Sequence, residues 1–439
     1  MIPAEKFETA SLRASSRGAG VRRILSAALE AVDPVAAVRR AASDPALNLH
    51  AGERAFIVAI GKASVPMAEA MLDLLGDKCS GGLVITKHMP SGFHSRLTVL
   101  EGGHPVPNEN SLAAGAKIRE LVTGLSAGDV IICLLSGGGS ALVASPVDGV
   151  PLTDLRLLTA DLLACGARID EINTLRRHLD TLKGGGLARL AEPRRVVSLI
   201  LSDVVGSPLE AIASGPTAPD PTTREEALEI LACYSLSASH PGIVAALQRV
   251  AETPKSGDPI FARVTNRIVA DNLVAAQAAL RQAEAEGFHP YLLRTDLQGE
   301  AREAAVELCR TLRWSWQTGQ PVRRPACIVA GGETTVTLCA HPGRGGRNME
   351  LALASVTELA NFPEVMLVTL GTDGEDGPTE AAGAVVTGET YRRAQQLGLS
   401  PSDYLARNDS YSFFEPLEDL LKPGPTGTNV NDLTFLFTF

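Results

Sequence analysis

The chain has 439 residues, 45% of them apolar, and a formal charge of −10. That length exceeds one hydrophobic core, no apolar run is long enough to cross a bilayer, and so acidic a protein should repel nucleic acid. The first twenty residues, MIPAEKFETASLRASSRGAG, lack the apolar stretch of a secretory signal, and Glu5 and Glu8 argue against a transit peptide, so a cytoplasmic location is expected.

In chain order, short apolar runs that end in glycine-rich or polar turns alternate with helical stretches. FIVAIGKAS reads as a strand, with Lys62 at the junction to the next helix. In SVPMAEAMLDLLG, residues Val65, Met67, Ala68, Met71, Leu72 and Leu75 form a broad apolar stripe, so both methionines read as core. GGHPVPNENS places His104 in a turn, in a supporting role, before the helix NSLAAGAKIRELVTGL. DVIICLL is a continuous apolar strand followed by Ser136, Gly137, Gly138, Gly139 and Ser140. Three glycines let the backbone approach a ligand with its N–H groups turned inward, and the next helix points its positive end there, which suits phosphate or carboxylate. The spacing is neither GxGxxG nor GxxxxGK[ST], so the dinucleotide and Walker fingerprints are missing.

KGGGLARL and IASGPTAPDP are further glycine turns, and between them VVSLILSDVVG ends an apolar strand on Asp203, a candidate metal or hydroxyl contact. After the helices REEALEILACYSL and GIVAALQRVA, the polar stretch AETPKSGDP (251–259) is the expected domain boundary, giving domains 1–250 and 251–439. A strand and a long helix follow in NRIVADNLVAAQAALRQAEAEG, and CIVAGGETT is another strand and turn. GRGGRNMELALA sets Arg344 and Arg347 on a glycine turn before a helix, where guanidinium would clamp an anion. VMLVTL runs into GTDGEDGPT, whose Asp373 and Asp376 could hold magnesium or simply form an Asx-type turn. Near the C-terminus, TGTNVNDL adds Asn429, Asn431 and Asp432, to order a cleft rim or close a turn. Seven cysteines with no CxxC pair read as small buried hydrophobes.

Alternating apolar strands and helices predict a parallel sheet covered on both faces, with ligands at the carboxyl ends of the strands, where these turns fall. Anion-friendly turns, candidate magnesium carboxylates and a cationic clamp are the parts of phosphoryl transfer, which needs positioning and charge neutralisation more than covalent catalysis. No GxSxG elbow supports hydrolase chemistry. On residues alone, the chain reads as a metal-dependent enzyme acting on a small anion, with a nucleotide.

The motifs GKA, GHPVPNENS, SGGGSAL, INTLRRHLDTLKGGGLA, SDVVGSPLEAIASGPTAPDPT, GGETTVTLCAHPGRGGRNMELALA, GTDGEDGPTEAAGA and TGTNVNDL, in that order along nearly the whole chain, resemble the glycerate 2-kinase (type II glycerate kinase, MOFRL) family. The resemblance implies an α/β fold of two unlike domains: an N-terminal Rossmann-like parallel sheet and a C-terminal domain holding the MOFRL region at about 326–433, with the active site in the cleft between them. It implies transfer of the γ-phosphoryl group of ATP to the 2-hydroxyl of D-glycerate with Mg2+. Lys62 and Arg347 then stand as catalytic residues. Ser136 to Ser140, Gly332, Glu333, Arg344 and Asn429 are expected to bind substrate or nucleotide, and Asp203, Asp373 and Asp376 the metal. A homodimer is carried as an expectation. Asp180 and Gly186 depart from the serine and arginine of the family pattern, which bears on affinity or substrate range. Two other readings compete: a hydroxypyruvate reductase, which would need a nicotinamide site, and a non-catalytic binding protein, which would not need Lys62 or the paired aspartates.

Overall fold

A computed structural model describes residues 2–90 and 96–439 and divides the chain into two compact units, Ala37–Val269 and a second formed by 1–36 with Ala270–Phe439. The observed division falls about ten residues beyond the end of the stretch 251–259 and assigns the first 36 residues to the C-terminal unit. The reason is local: AETPKSGDP is irregular chain, but the strand that follows it still joins the first sheet, so the break comes only after that strand.

The unit Ala37–Val269 is built on β1 (Ala55–Ile60), β2 (Cys79–Thr86), β3 (Leu97–Glu101), β4 (Val130–Leu135), β5 (Arg195–Leu201) and β6 (Val264–Ala270), in the order β3-β2-β1-β4-β5-β6. The pairings β3–β2, β2–β1, β1–β4 and β4–β5 are parallel. Every residue of VIICLL in β4 is buried, as a strand covered on both faces requires. The helix Ser64–Leu75 buries Met67, Ala68 and Met71 while Val65, Leu72 and Leu75 lie half-buried along its stripe. The helix Glu109–Gly124 is started by a reciprocal cap between Asn108 and Ser111. A separate apolar cluster joins the helices Leu152–Ala164, Ile169–His178, Arg224–Cys233 and Pro241–Arg249.

The other unit holds β7 (His289–Leu297), β8 (Ala326–Gly332), β9 (Val365–Gly371), β10 (Gly383–Thr387), β11 (Leu420–Leu421) and β12 (Asp432–Thr438), in the order β11-β10-β9-β12-β8-β7. Only β7–β8 is parallel; β8–β12, β12–β9, β9–β10 and β10–β11 are antiparallel. The uniform parallel pattern expected along the chain therefore stops here. Eleven residues join β9 to β10, too few for a crossover helix, so the chain must turn back. β12 then enters between β9 and β8 with all seven residues buried. Helices Ala301–Thr318 and Arg347–Glu358 share one core with the sheet. Helix Gly18–Ala31 packs on helix Asn272–Ala285, which in turn contacts β7 and β8. Buried Asp419 accepts hydrogen bonds from the N–H and hydroxyl of Ser11 at 2.8 Å each, and Arg393 reaches it at 2.6 Å. No helix among the described residues is long and apolar enough to cross a membrane.

Candidate active site

Around β1 the strand order reverses: the chain steps outward to β2 and β3, then crosses back to β4 on the other side of β1. The carboxyl ends of β1 and β4 flank that switch point, where open α/β sheets bind ligands. Ile60 and Leu135 are paired residues that end their strands, so the GKA and SGGGS turns emerge side by side. Lys62 N–H donates to the carbonyl of Gly137 at 2.9 Å, Ser136 N–H to that of Ile60 at 3.0 Å, and Ala63 N–H to Ser136 Oγ at 3.0 Å. Gly61 has φ +132°, and a Cβ there would lie 2.1 Å from Ser136 Oγ, so the two turns interlock only around a glycine.

Asp203, two residues beyond β5, reaches the same place. A Cβ on Gly137 would lie 1.9 Å from Asp203 Oδ2, and one on Gly138 would lie 3.0 Å from His104 Cδ2 and 3.4 Å from Lys62 Cε. Four separate turns thus bring Lys62, His104, Gly137–Gly138 and Asp203 together. Ser140 pairs its hydroxyl with that of Ser214 at 2.8 Å, fixing the far end of the loop. Burial pushes the Asp203 carboxyl above its ordinary pKa, while the charge of Lys62 pulls it back. Burial, with Lys62 and Lys87 adding repulsion, lowers the pKa of His104, which therefore stays neutral near pH 7.

In the C-terminal unit, Arg347 opens the helix Arg347–Glu358 and is held on two sides. Its Nε and Nη2 donate to the Asp432 carboxylate at 2.5 and 3.3 Å, and Nη1 lies 3.0 Å from Glu333 Oε1. Burial opposes its charge, but Asp432 and Glu333 outweigh that and raise its pKa above the ordinary guanidinium value. Asn431 Nδ2 donates to Glu333 Oε2 at 2.8 Å, and Asn429 Oδ1 accepts from Asn431 N–H at 3.0 Å. Gly332 ends β8 beside Glu333, so Gly332, Glu333, Arg347 and Asn429 form one constellation with Asn431 and Asp432. Asp432 is the member the sequence reading undervalued. Its signal was a carboxylate opening an otherwise apolar strand.

The remaining candidates fall elsewhere. Arg344 lays its guanidinium 3.9 Å from the centre of the Tyr411 ring, with Glu380 at 3.6 Å. Asp376, expected among the metal ligands, points inward and caps the helix Arg347–Glu358. It accepts from Asn348 N–H at 3.2 Å and from Met349 N–H at 2.8 Å, and burial raises its pKa to about 7, with Asp432 adding to the rise. A half-protonated carboxyl occupied by a helix start is a poor magnesium ligand. Asp373 is half-buried and closes an Asx turn by accepting from Glu375 N–H at 3.1 Å through Oδ1. Asp180 is fully engaged, accepting from Leu182 N–H and Lys183 Nζ in its own turn and from Ser145 N–H of a separate segment, at 2.7–2.9 Å. Among the described residues no group of three or more His, Cys, Asp and Glu side chains is placed to hold a metal. Asp203 beside a glycine cradle suits magnesium instead in its usual manner, with one or two protein carboxylates and the rest from phosphate and water.

A glycine cradle, a lysine and a half-buried carboxylate at a sheet's switch point describe an α/β enzyme for small anionic ligands. Comparison with known proteins narrows this. Residues 20–248 match a family described as a domain of unknown function, DUF4147, and residues 326–432 match the MOFRL family. A D-glycerate 2-kinase from Thermotoga maritima is 41% identical over 411 residues, 93% of this chain and 95% of that one. A protein from Agrobacterium vitis with a provisional hydroxypyruvate reductase name is 40% identical, over 94% of this chain and 92% of its own length. The crystal structure of a glycerate kinase from Thermotoga maritima superposes with a TM-score of 0.89 at 40% identity, covering 95% of this chain and 98% of that chain. The chain belongs to the glycerate 2-kinase family, a family of phosphotransferases.

Proposed function

We propose that this protein phosphorylates D-glycerate at its 2-hydroxyl, consuming ATP with magnesium and releasing 2-phospho-D-glycerate and ADP. The observation that carries the proposal is identity of 41%, over 93% of the chain, to a D-glycerate 2-kinase. The meeting of Lys62, Gly137–Gly138 and Asp203 supplies matching chemistry. The N–H groups of the glycine turn bind phosphate oxygens, and Lys62 neutralises charge on the transferring group or on the glycerate carboxylate. Asp203 would hold magnesium, whose charge would offset that of the phosphate oxygens, and Asp373 is a separate candidate ligand. Arg347 retains part of its N–H fork beyond Asp432 and Glu333 for charge built up in transfer, and those two acids fix its plane. A cytoplasmic setting fits such metabolism.

Incubating the purified protein with ATP, magnesium and D-glycerate should yield a phosphoglycerate that enolase consumes directly, as it does the 2-isomer and not the 3-isomer. Absence of phosphoglycerate removes the proposal, and a product that needs a mutase before enolase corrects its position. The name of the Agrobacterium vitis relative favours a second reading, hydroxypyruvate reduction. NADH oxidation on adding hydroxypyruvate is its test, and the cradle's departure from GxGxxG spacing predicts none.

A further inference from the structure

A concavity of about 690 Å3 opens within Ala37–Val269, lined by the turn at Val147–Gly149 and by residues from the stretches 177–183 and 249–254, Glu252 not among them. It shares no lining residue with the cluster of Lys62, His104, Gly137–Gly138 and Asp203. Its volume is in the range that holds a small metabolite. Three arginines from three elements line it: Arg119 from the helix Glu109–Gly124, Arg189 from the helix Gly186–Ala191 and Arg249 at the end of Pro241–Arg249.

These three differ from most arginines of the chain. Arg13, Arg22, Arg23, Arg168, Arg392 and Arg407 each lie within ion-pair distance of a carboxylate. Arg119, Arg189 and Arg249 hydrogen bond instead to neutral oxygens. Arg119 Nη1 donates to Thr181 Oγ1 at 3.1 Å, Arg189 Nη2 to the Glu252 carbonyl at 2.7 Å, and Arg249 Nε to the Ala245 carbonyl at 3.1 Å. Those bonds orient the forks and leave the charges uncompensated. The floor adds no surplus of either sign, because buried Arg177 is paired with Asp220 at 2.8 Å and buried Lys183 with Asp180 at 2.7 Å. Two carboxylates, Asp148 and Asp180, are among the lining residues; Asp180 is taken by Lys183, so Asp148 alone stands against the three rim cations. In a protein of net charge −10, an oriented cationic rim over a neutral floor is a local reversal of sign.

We infer that this concavity is a second ligand site, separate from the phosphoryl-transfer centre, that binds a small polyanion with two or more phosphoryl or carboxylate groups. Guanidinium forks suit both groups and bind them through paired N–H donors. Charge-assisted bonds of this kind are the strong ones, so removing two forks should weaken binding by about 10–100-fold.

Calorimetric titration with pyrophosphate, and in parallel with citrate, tests the inference on the full chain. Wild type is compared with Arg119→Ser/Arg249→Ser, whose side chains are exposed, and with Lys62→Ala. One class of sites should weaken in the double variant and persist in Lys62→Ala, with the melting temperature of each unchanged. The better-bound probe separates phosphoryl from carboxylate ligands. Equal binding by wild type and the double variant overturns the site, as does failure of both probes to bind wild type saturably at low-millimolar concentration. Because the readout is binding lost at the rim and kept without Lys62, it stands whether or not glycerate is phosphorylated.

Discussion

Lys62 is exposed at its strand end, so its side chain contributes little to folding and can be removed cleanly. Lys62→Ala should lower kcat with ATP and D-glycerate by about 100-fold or more, as loss of a charge-stabilising donor does, with an unaltered melting temperature. Asp376 should behave in the opposite way. Its folded pKa of about 7 lies above the ordinary 3.8, so the folded state binds the proton more tightly than the unfolded state. The resulting stabilisation is full below about pH 4 and is lost as pH rises toward about 7. Asp376→Asn cannot titrate and should lack this component. The stability difference between wild type and variant should shift by about 2–4 kcal/mol across that window, read from urea unfolding at each end. Residues were legible where type contradicted surroundings: a lysine after an apolar strand, an aspartate ending another, three glycines in a row. The capping role of Asp376 was not legible because Asp-Gly turns look alike whether a carboxylate faces solvent or caps a distant helix. Only the fold shows that its partners are the N–H groups of Asn348 and Met349.

At the scale of elements, the site depends on how closely two strand ends approach. Gly137→Ala would press a methyl group to 1.9 Å from Asp203 Oδ2, while the backbone conformation itself suits alanine. The variant should fold, displace Asp203 and raise the magnesium concentration needed for half-maximal activity several-fold; an unchanged magnesium dependence would separate Asp203 from the metal. Strands and helices were readable from period and punctuation, and β1, β4, β5, β8 and β9 all fall on the apolar runs of the sequence. Pairing was not readable. A fully buried strand such as β12 carries the same pattern in parallel and antiparallel company, and only the short β9–β10 connection hints that the chain turns back.

For the whole molecule, the least legible feature was the discontinuous unit. Nothing in the first 36 residues announces that Ser11 will meet Asp419 or that helix Gly18–Ala31 will cover helix Asn272–Ala285. Such contacts join residues hundreds of positions apart, beyond the reach of periodicity. Asp419→Ala strips the partner from Arg393 and from Ser11 in a buried setting and should cost about 2–4 kcal/mol. It should lower the unfolding midpoint of the C-terminal unit first, measurable as protease sensitivity arising in residues 1–36 and 270–439 before 37–269.

β12 lies in the middle of its sheet yet follows every other strand of that sheet in sequence. On the ribosome, the central slot between β9 and β8 therefore stays vacant until synthesis reaches Asp432. Helix Gly18–Ala31 emerges first and must wait while roughly 400 residues are added, roughly 20–80 s at about 5–20 residues per second. The middle unit can close during that interval. The unit begun first is finished last, and the apolar face of helix Gly18–Ala31 is exposed to chaperones and to aggregation until helix Asn272–Ala285 is made.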